Sequence, residues 1–476
     1  MITFFLALLT LILGYMLYGK FVERVFGPDD RRTPALSKTD GVDYIPLPLW
    51  KIFMIQFLNI AGTGPIFGAI MGAKFGPSAY LWIVLGCIFA GATHDYLAGM
   101  LSLRNGGIGL PEIIGKYLGN RAKNIMLVFS VLLLVMVGAV FVYSPAIIMG
   151  GIVGDVVIWI VAIFVYYVIA TMMPIDKIIG KIYPLFAFAL LFMAGAMFVG
   201  LIIKMPQLPE IWEGIDNQNP KMGPIIPILF ITIACGAISG FHATQSPLMA
   251  RCMKHEKLGR PIFYGAMITE GIVALIWATV SSYFFFGGGA QDLGAETTAS
   301  APQIVTIVSQ SWLGYLGGIL ALLGVVAAPI TSGDTALRSA RLIIADFIHL
   351  KQKSIRNRLL ICIPLFVVTM LVLWFNIADE DGFNVIWNYF GWANQALSVF
   401  TLWALTVYLV QQRKPFYITL IPALFMTFVC STFLLISPIA FGMGHLLSYG
   451  IGCTIILIAL AWFCLWYRKN ATFMQK

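Results

Sequence analysis

Apolar runs of about 20 residues, the length an α-helix needs to cross a bilayer, recur along this chain from Ile2 to Tyr467. Lipid offers the backbone no hydrogen-bond partner, so such runs must be helical. Thirteen spans can be marked: 2–19, 50–74, 78–103, 124–148, 152–173, 182–203, 223–252, 262–287, 312–337, 359–377, 384–411, 416–437 and 445–467. No segment between them is long or polar enough for a separate soluble domain. With 60% hydrophobic and 11% charged residues in 476, the chain is expected to be an all-α polytopic membrane protein. Ile2–Tyr18 has no basic leader and no small-residue cleavage pattern after it, and reads as an uncleaved first span.

The net charge of +9 reflects orientation rather than affinity for nucleic acid. If the N-terminus lies outside and the C-terminus in the cytoplasm, 27 of the 30 Lys and Arg residues face the cytoplasm; only Lys74, Lys204 and Lys221 do not. An inner-membrane, multi-pass protein with that orientation is expected. The seven cysteines show no CxxC and no ligand spacing, which predicts neither a disulfide framework nor a metal site. No cofactor is expected; the absence of a nucleotide-binding motif argues against a primary pump, and the absence of HExxH and of a nucleophile beside His94-Asp95 against an intramembrane enzyme.

Two spans are interrupted. Span 7 contains CGAISGFHATQSPLMARC at 235–252, where Ser239, Gly240, His242, Thr244, Gln245, Ser246 and Pro247 stand together at membrane depth. Gly and Pro disfavour helix interiors, so the span should break there. Span 2 has Gly62-Thr63-Gly64-Pro65 near its midpoint. In each, a half-helix is expected to restart: after Thr63 or Gly64 with Pro65 in its first turn, and after Thr244 or Ser246 with Pro247 likewise. Half-helix N-termini carry partial positive charge, so the pair would suit a carboxylate. The alternative is that these residues only kink helices or let them pack closely.

The two broken spans lie five apart and therefore run in opposite directions, the pattern of an inverted-repeat transporter. The expected organisation is a leading span and cytoplasmic loop (1–49), a first five-helix repeat (50–203), a second (223–411) and two peripheral helices (412–476). Short helices are expected near Pro111 and over 301–311, and a cytoplasmic surface helix over 338–350.

Ionisable residues at depth are the next candidates. His94-Asp95 lies in the cytoplasmic half of span 3, as a coupling pair or a tie between helices. Thr331, Ser332 and Asp334 follow Pro329, to hold a small cation or a proton or to cap a half-helix. Glu270 in span 8 is a candidate partner for a loop arginine. His242 sits in the break itself. Asn384, Asn388, Trp392, Asn394 and Gln395 mark span 11 as facing protein or cavity, while Tyr143, Ser144 and Pro145 are placed to line a cavity from span 4.

PDDRRTPA, DGVDYIP, IAGTGPIFGAIMGAKFG, GATHDYLAGMLSLRNGG, SGFHATQSPLMARC, FYGAMITEGIVALIWA, APITSGDTALRSARLIIAD and YFGWANQALS together resemble the carbon starvation protein A family. The resemblance implies a peptide or proton-coupled pyruvate transporter with a five-plus-five inverted repeat, a fold in which sodium is often held between the first broken helix and the helix carrying Thr331-Ser332. The expected function is therefore secondary import of a small carboxylate-bearing nutrient, by H+ symport or else Na+ symport. A nutrient sensor is the rival class. Gly62, Thr63, Gly64, Ser239, Gly240, His242, Thr244 and Gln245 are the expected substrate residues, and His94, Asp95, Thr331, Ser332 and Asp334 the ion-coupling ones. Beyond substrate and lipid no obligate partner is evident.

Overall fold

The computed structural model describes residues 1–151, 153–173, 179–352, 354–378 and 382–474. Lys177, Lys353 and Lys476, counted in the charge bias, lie outside them. The described residues fold as sixteen principal helical segments. They are α1 (Ile2–Phe26), α2 (Leu49–Ala61), α3 (Gly64–Ala73), α4 (Ser78–Arg104), α5 (Leu110–Leu118), α6 (Asn120–Gly150), α7 (Val156–Met172) and α8 (Ile179–Lys204), followed by α9 (Ile225–Thr232), α10 (Gly240–Ala250), α11 (Glu256–Phe286), α12 (Ala301–Phe347), α13 (Ile355–Ala378), α14 (Gly382–Gln411), α15 (Tyr417–Ile436) and α16 (His445–Met474). Among the described residues nine helices are long and apolar enough to cross a membrane, and the α2–α3 pair, bent by 53°, makes a tenth candidate.

Local chemistry accounts for the elements that shape the site. α2 ends at Gly62, whose φ of 49° and ψ of −142° suit glycine, and α3 restarts behind Thr63 with Pro65 in its first turn. α5 carries Pro111 in its first turn, as its sequence predicts. α12 starts with a Ser300–Gln303 capping box and turns at Gly314, φ 67°, which sets off the short helix expected over 301–311.

Two expectations for α12 are corrected. Pro329 does not start a half-helix, because α12 is continuous through it. Nor is 338–350 a surface helix: α12 runs to Phe347, with Arg338 and Arg341 fully buried. Asp43, in the 38–48 loop, accounts for that burial by pairing with both, 3.7 Å from Arg338 and 3.3 Å from Arg341.

The apolar interior has two parts. One is built mainly by α1–α4, α8, α9, α11, α15, the C-terminal part of α14 and the N-terminal part of α12; the other mainly by α5–α7, α13, the rest of α14 and the C-terminal part of α12. α10 bridges them, since Leu248 and Met249 pack in the first and Phe241 and Ala243 in the second. Van der Waals packing through small residues, rather than hydrophobic transfer, holds helices together in lipid. α3 shows it: added Cβ atoms at Gly64, Gly68 and Gly72 would stand 2.3 Å from Cys235 Cβ, 2.8 Å from the Thr232 carbonyl oxygen and 2.2 Å from Ile233 Cγ1.

Candidate functional site

The second break spans residues 233–239, between α9 and α10, and its polar backbone has partners on other helices. Trp82 Nε1 donates to the Ile233 carbonyl at 2.8 Å, Gln395 Nε2 to that of Phe230 at 3.1 Å, and Asn394 Oδ1 accepts from the Phe241 N–H at 2.7 Å. A non-helical stretch at membrane depth persists only when it is satisfied in this way. Glycines admit it sterically, for Gly64 faces Cys235, and Cβ atoms at Gly91 and Gly271 would lie 2.1 Å from the Ala237 oxygen and 3.4 Å from the Gly236 oxygen.

The expected restart at Thr244 or Ser246 is corrected. α10 begins at Gly240 behind Ser239, one turn earlier, because Asn394 supplies its cap from α14. Thr244 Oγ1 and Ser246 Oγ instead donate to the carbonyls of Phe241 and His242 within α10, where Pro247 is also internal. Ser239 Oγ donates to Asn394 Oδ1 at 3.0 Å, and Gly240 packs against the α14 backbone at Asn394 and Ser398. Gln245 Nε2 donates to Thr244 Oγ1 at 2.9 Å.

α10 directs His242 into a buried ionisable series. Asp95 Oδ1 accepts from its neighbour His94 Nδ1 at 2.8 Å, and Oδ2 accepts from His242 Nδ1, also at 2.8 Å. His242 Nε2 then lies 3.5 Å from Glu270 Oε2 on α11. Residues His94, Asp95, His242 and Glu270 are fully buried. The structure thus brings one expected substrate residue and the expected α4 pair into one array, with Glu270, expected to meet a loop arginine, as its far end. Cys235 joins the cluster: its ligand atom and those of His242 and Glu270 lie within 4.8 Å of one another.

The first break holds a different set. Ser332 Oγ on α12 donates to the Leu58 carbonyl at 2.8 Å, satisfying an orphan acceptor at the end of α2, and Gly62 packs between Phe141 and Ser332. Thr331 Oγ1 turns back to the Ala327 and Ala328 carbonyls at 2.9 Å. Asp334 accepts from the Tyr183 hydroxyl at 2.5 Å on Oδ2 and belongs to this α8–α12 contact, apart from the Asp95 hydrogen bonds. Sequence reasoning missed Gln56 and Asn59. Both are fully buried, and both side-chain polar atoms of each lack a protein partner, as does Thr63 Oγ1. Spacing of i, i+3 and i+7 would have found them, since polar residues at that interval share a helical face. Buried polar groups are nearly always paired, so such a set calls for water or a ligand. Ser144 Oγ on α6 is another of this kind.

Broken apolar helices whose backbone is satisfied from neighbouring helices, with an ionisable array at one break, define a multi-pass membrane transporter. Sequence comparison then fixes the family: the profile described as carbon starvation protein CstA matches residues 1–153, 142–312 and 280–433, so the chain belongs to that family. It is 45% identical to a Haemophilus influenzae uncharacterized membrane protein across 60% of this chain and 91% of that one. Identity to the Campylobacter jejuni peptide transporter CstA is 27%, over 87% of this chain and 77% of the relative. With the Escherichia coli pyruvate/proton symporter BtsT it is 28%, over 57% and 47%. The fold resembles that of the Eremococcus coleocola manganese transporter, at TM-score 0.60 and 14% identity over 90% of this chain and 99% of that one. It also resembles a Na+-coupled sialic acid symporter, at TM-score 0.58 and 14% identity over 96% of each.

Proposed function

We propose that this protein imports a small carboxylate-bearing nutrient, a short peptide or a pyruvate-like monocarboxylate, by proton symport across the inner membrane. It would work as two inverted five-helix halves, with its N-terminus outside. The observation that carries the reading is the Asp95–His242–Glu270 array. It joins three helices at the second break through groups that can all gain or lose a proton, and histidine exchanges protons near neutral pH. Gln56, Asn59 and Thr63 at the first break supply amide and hydroxyl groups able to hold a carboxylate or a peptide unit. A proton that enters with an anionic substrate reduces the charge to be moved through low dielectric, which is the reason to couple the two. The names of the peptide-transporting relatives and of the pyruvate/proton symporter agree with this substrate class.

Sodium coupling is the second reading, favoured by the hydroxyl–carbonyl contact between Ser332 and Leu58, whose oxygens suit a hard cation. The test is uptake into proteoliposomes, with labelled pyruvate set against a panel of di- and tripeptides. An inwardly directed proton gradient without sodium should drive accumulation. Asp95→Asn should abolish that accumulation and spare substrate exchange. Accumulation that follows a sodium gradient and ignores a protonophore would replace the proton with sodium.

A further inference from the structure

We propose that Cys235, His242 and Glu270 form a binding site for a divalent transition-metal ion of borderline softness, of the Zn2+ type. The sequence hides such a site, because its residues come from the α9–α10 break, the first turn of α10 and the middle of α11, with no motif spacing among them. The fold brings their ligand atoms within 4.8 Å of one another.

Four observations support it. First, the ligand atoms are otherwise unused: His242 Nε2 and both Glu270 oxygens are buried without a hydrogen-bond partner. Second, the 3.5 Å between His242 Nε2 and Glu270 Oε2 exceeds a good N–H···O hydrogen bond. Two ligands on a tetrahedral ion with bonds near 2.1 Å stand about 3.4 Å apart, so the gap fits a metal without movement. Cys235 Sγ makes long contacts, 3.7 Å to Ser239 Oγ and 3.9 Å to Asn394 Nδ2, lies beside His242, and sits outside any helix where it can move inward. Third, His242 is oriented as metal-binding histidines are. Its Nδ1 donates to Asp95, which His94 holds in turn, so Nε2 presents its lone pair to the gap. Fourth, charge balances. A thiolate and a carboxylate neutralise a divalent ion, with neutral imidazole as third ligand and the thiol proton released on binding, which limits the cost of burying the ion.

The donor set decides the class of ion. Thiolate and imidazole disfavour Mg2+, Ca2+ and Mn2+, which prefer oxygen, and three protein ligands leave a fourth position open. Because all three residues are buried, the ion must enter when the break and α11 separate. Bound metal would occupy the gap between His242 and Glu270 and so block transport; that consequence alone rests on the proton-symport reading.

Binding is tested on the purified full-length protein carrying Cys453→Ser and Cys464→Ser, equilibrated with Co2+ as an optical probe. One equivalent should give a thiolate-to-cobalt charge-transfer band together with the intense visible bands of tetrahedral cobalt, both displaced by Zn2+. Cys235→Ser should remove the charge-transfer band, and Glu270→Gln should weaken binding. Asp95→Asn should keep the spectrum but lower affinity about 10- to 100-fold, because it acts only through His242. Absence of the band in the otherwise wild-type protein, or its survival in Cys235→Ser, overturns the site. If the band appears as described while Zn2+ leaves uptake unchanged, the metal site stands and the role given to the array in transport falls.

Discussion

Asp43 and Asp95 are both buried carboxylates held by two side chains, and they differ in whether those partners can lose their charge. Asp43 meets Arg341 at 3.3 Å and Arg338 at 3.7 Å, guanidinium groups that stay protonated in any protein setting. Asp95 meets two imidazoles, which are neutral or charged according to circumstance. The first arrangement is a fixed lock. It pins the 38–48 loop to α12, while Arg338 also donates to the Met173 carbonyl at 2.9 Å beyond the end of α7. Earlier in the α1–α2 connection, Glu256 pairs with Arg104 at 2.9 Å and accepts from the Asp29 backbone at 3.0 Å, so the connection is tied down at two places. The second arrangement has partners whose charge is not fixed, which is what the proposed proton coupling asks of it. Fixed charges suit a closure that must hold through every cycle, and titratable ones suit the moving part.

Removing one charge from each cluster should break this comparison most sharply. Asp43→Asn leaves Arg338 and Arg341 buried without a carboxylate and should cost about 3–5 kcal/mol, as loss of one partner from a buried ion pair does. Asp95→Asn should cost less, about 1–3 kcal/mol, because imidazole can shed its proton and keep a hydrogen bond to the amide. Thermal unfolding of the two variants in detergent measures the difference, and equal losses would mean that His94 and His242 carry fixed charge. The lock should also be steady through neutral pH. Burial raises the Asp43 carboxyl, but Arg341, Arg338, Arg251 and Arg358 outweigh it and hold it below the usual carboxylate range. A depressed folded value stabilises above the unfolded value of about 3.9 and is lost as pH falls through the folded one, so the contribution should stay level from about pH 5 to 8. Loss of the wild-type advantage over Asp43→Asn already at pH 6 would contradict this.

A smaller effect separates the glycines of the breaks from those of the lipid-facing helices. Gly64→Ala would place its Cβ 2.3 Å from that of Cys235, whereas Gly195→Ala on α8 meets nothing within 4 Å. Overpacking at Gly64 should cost about 1–3 kcal/mol and displace Cys235, lowering both transport and cobalt binding. Gly195→Ala should be neutral or stabilising in the same thermal assay, since Ala is the better helix former. Equal tolerance at both positions would mean that α3 and the second break are not in close contact.

The sequence reveals the first break more fully than the second, for a local reason. Gly62, Thr63 and Pro65 carry their own termination and restart signals, so helix end, cap and first turn fall where those residues predict. The restart of α10 depends on Asn394, far away in sequence, and local capping rules therefore favoured Thr244 and Pro247, which lie inside the helix. The same limit governs the array. His94 and Asp95 are legible as neighbours, but their link to His242 and Glu270 exists only when α4, α10 and α11 pack. Arg338 and Arg341 read as surface residues because arginine is rarely buried unpaired, and their partner Asp43 lies in a loop with no periodicity to place it.

Orientation can be tested with the least disturbance to the molecule, because the reporters are exposed positions where substitution changes stability by about 0.5 kcal/mol or less. The orientation expected from the charge bias would put the Asp43 lock in the cytoplasm and the loop at 293–299 outside. Thr298 is exposed in that loop, and Lys254 is exposed between α10 and α11, where its carbonyl accepts from Thr33 Oγ1 in the region of the lock. Two single reporters, Thr298→Cys and Lys254→Cys, are built in a background with Cys453 and Cys464 replaced, since those two native thiols are exposed and the other five are buried. In whole cells an impermeant thiol reagent should label the first reporter and leave the second untouched until the membrane is permeabilised. Labelling of Lys254→Cys in intact cells would place the fixed-charge lock on the outer side, making the Asp43 cluster an extracellular closure and reversing the direction in which α3 and α10 point.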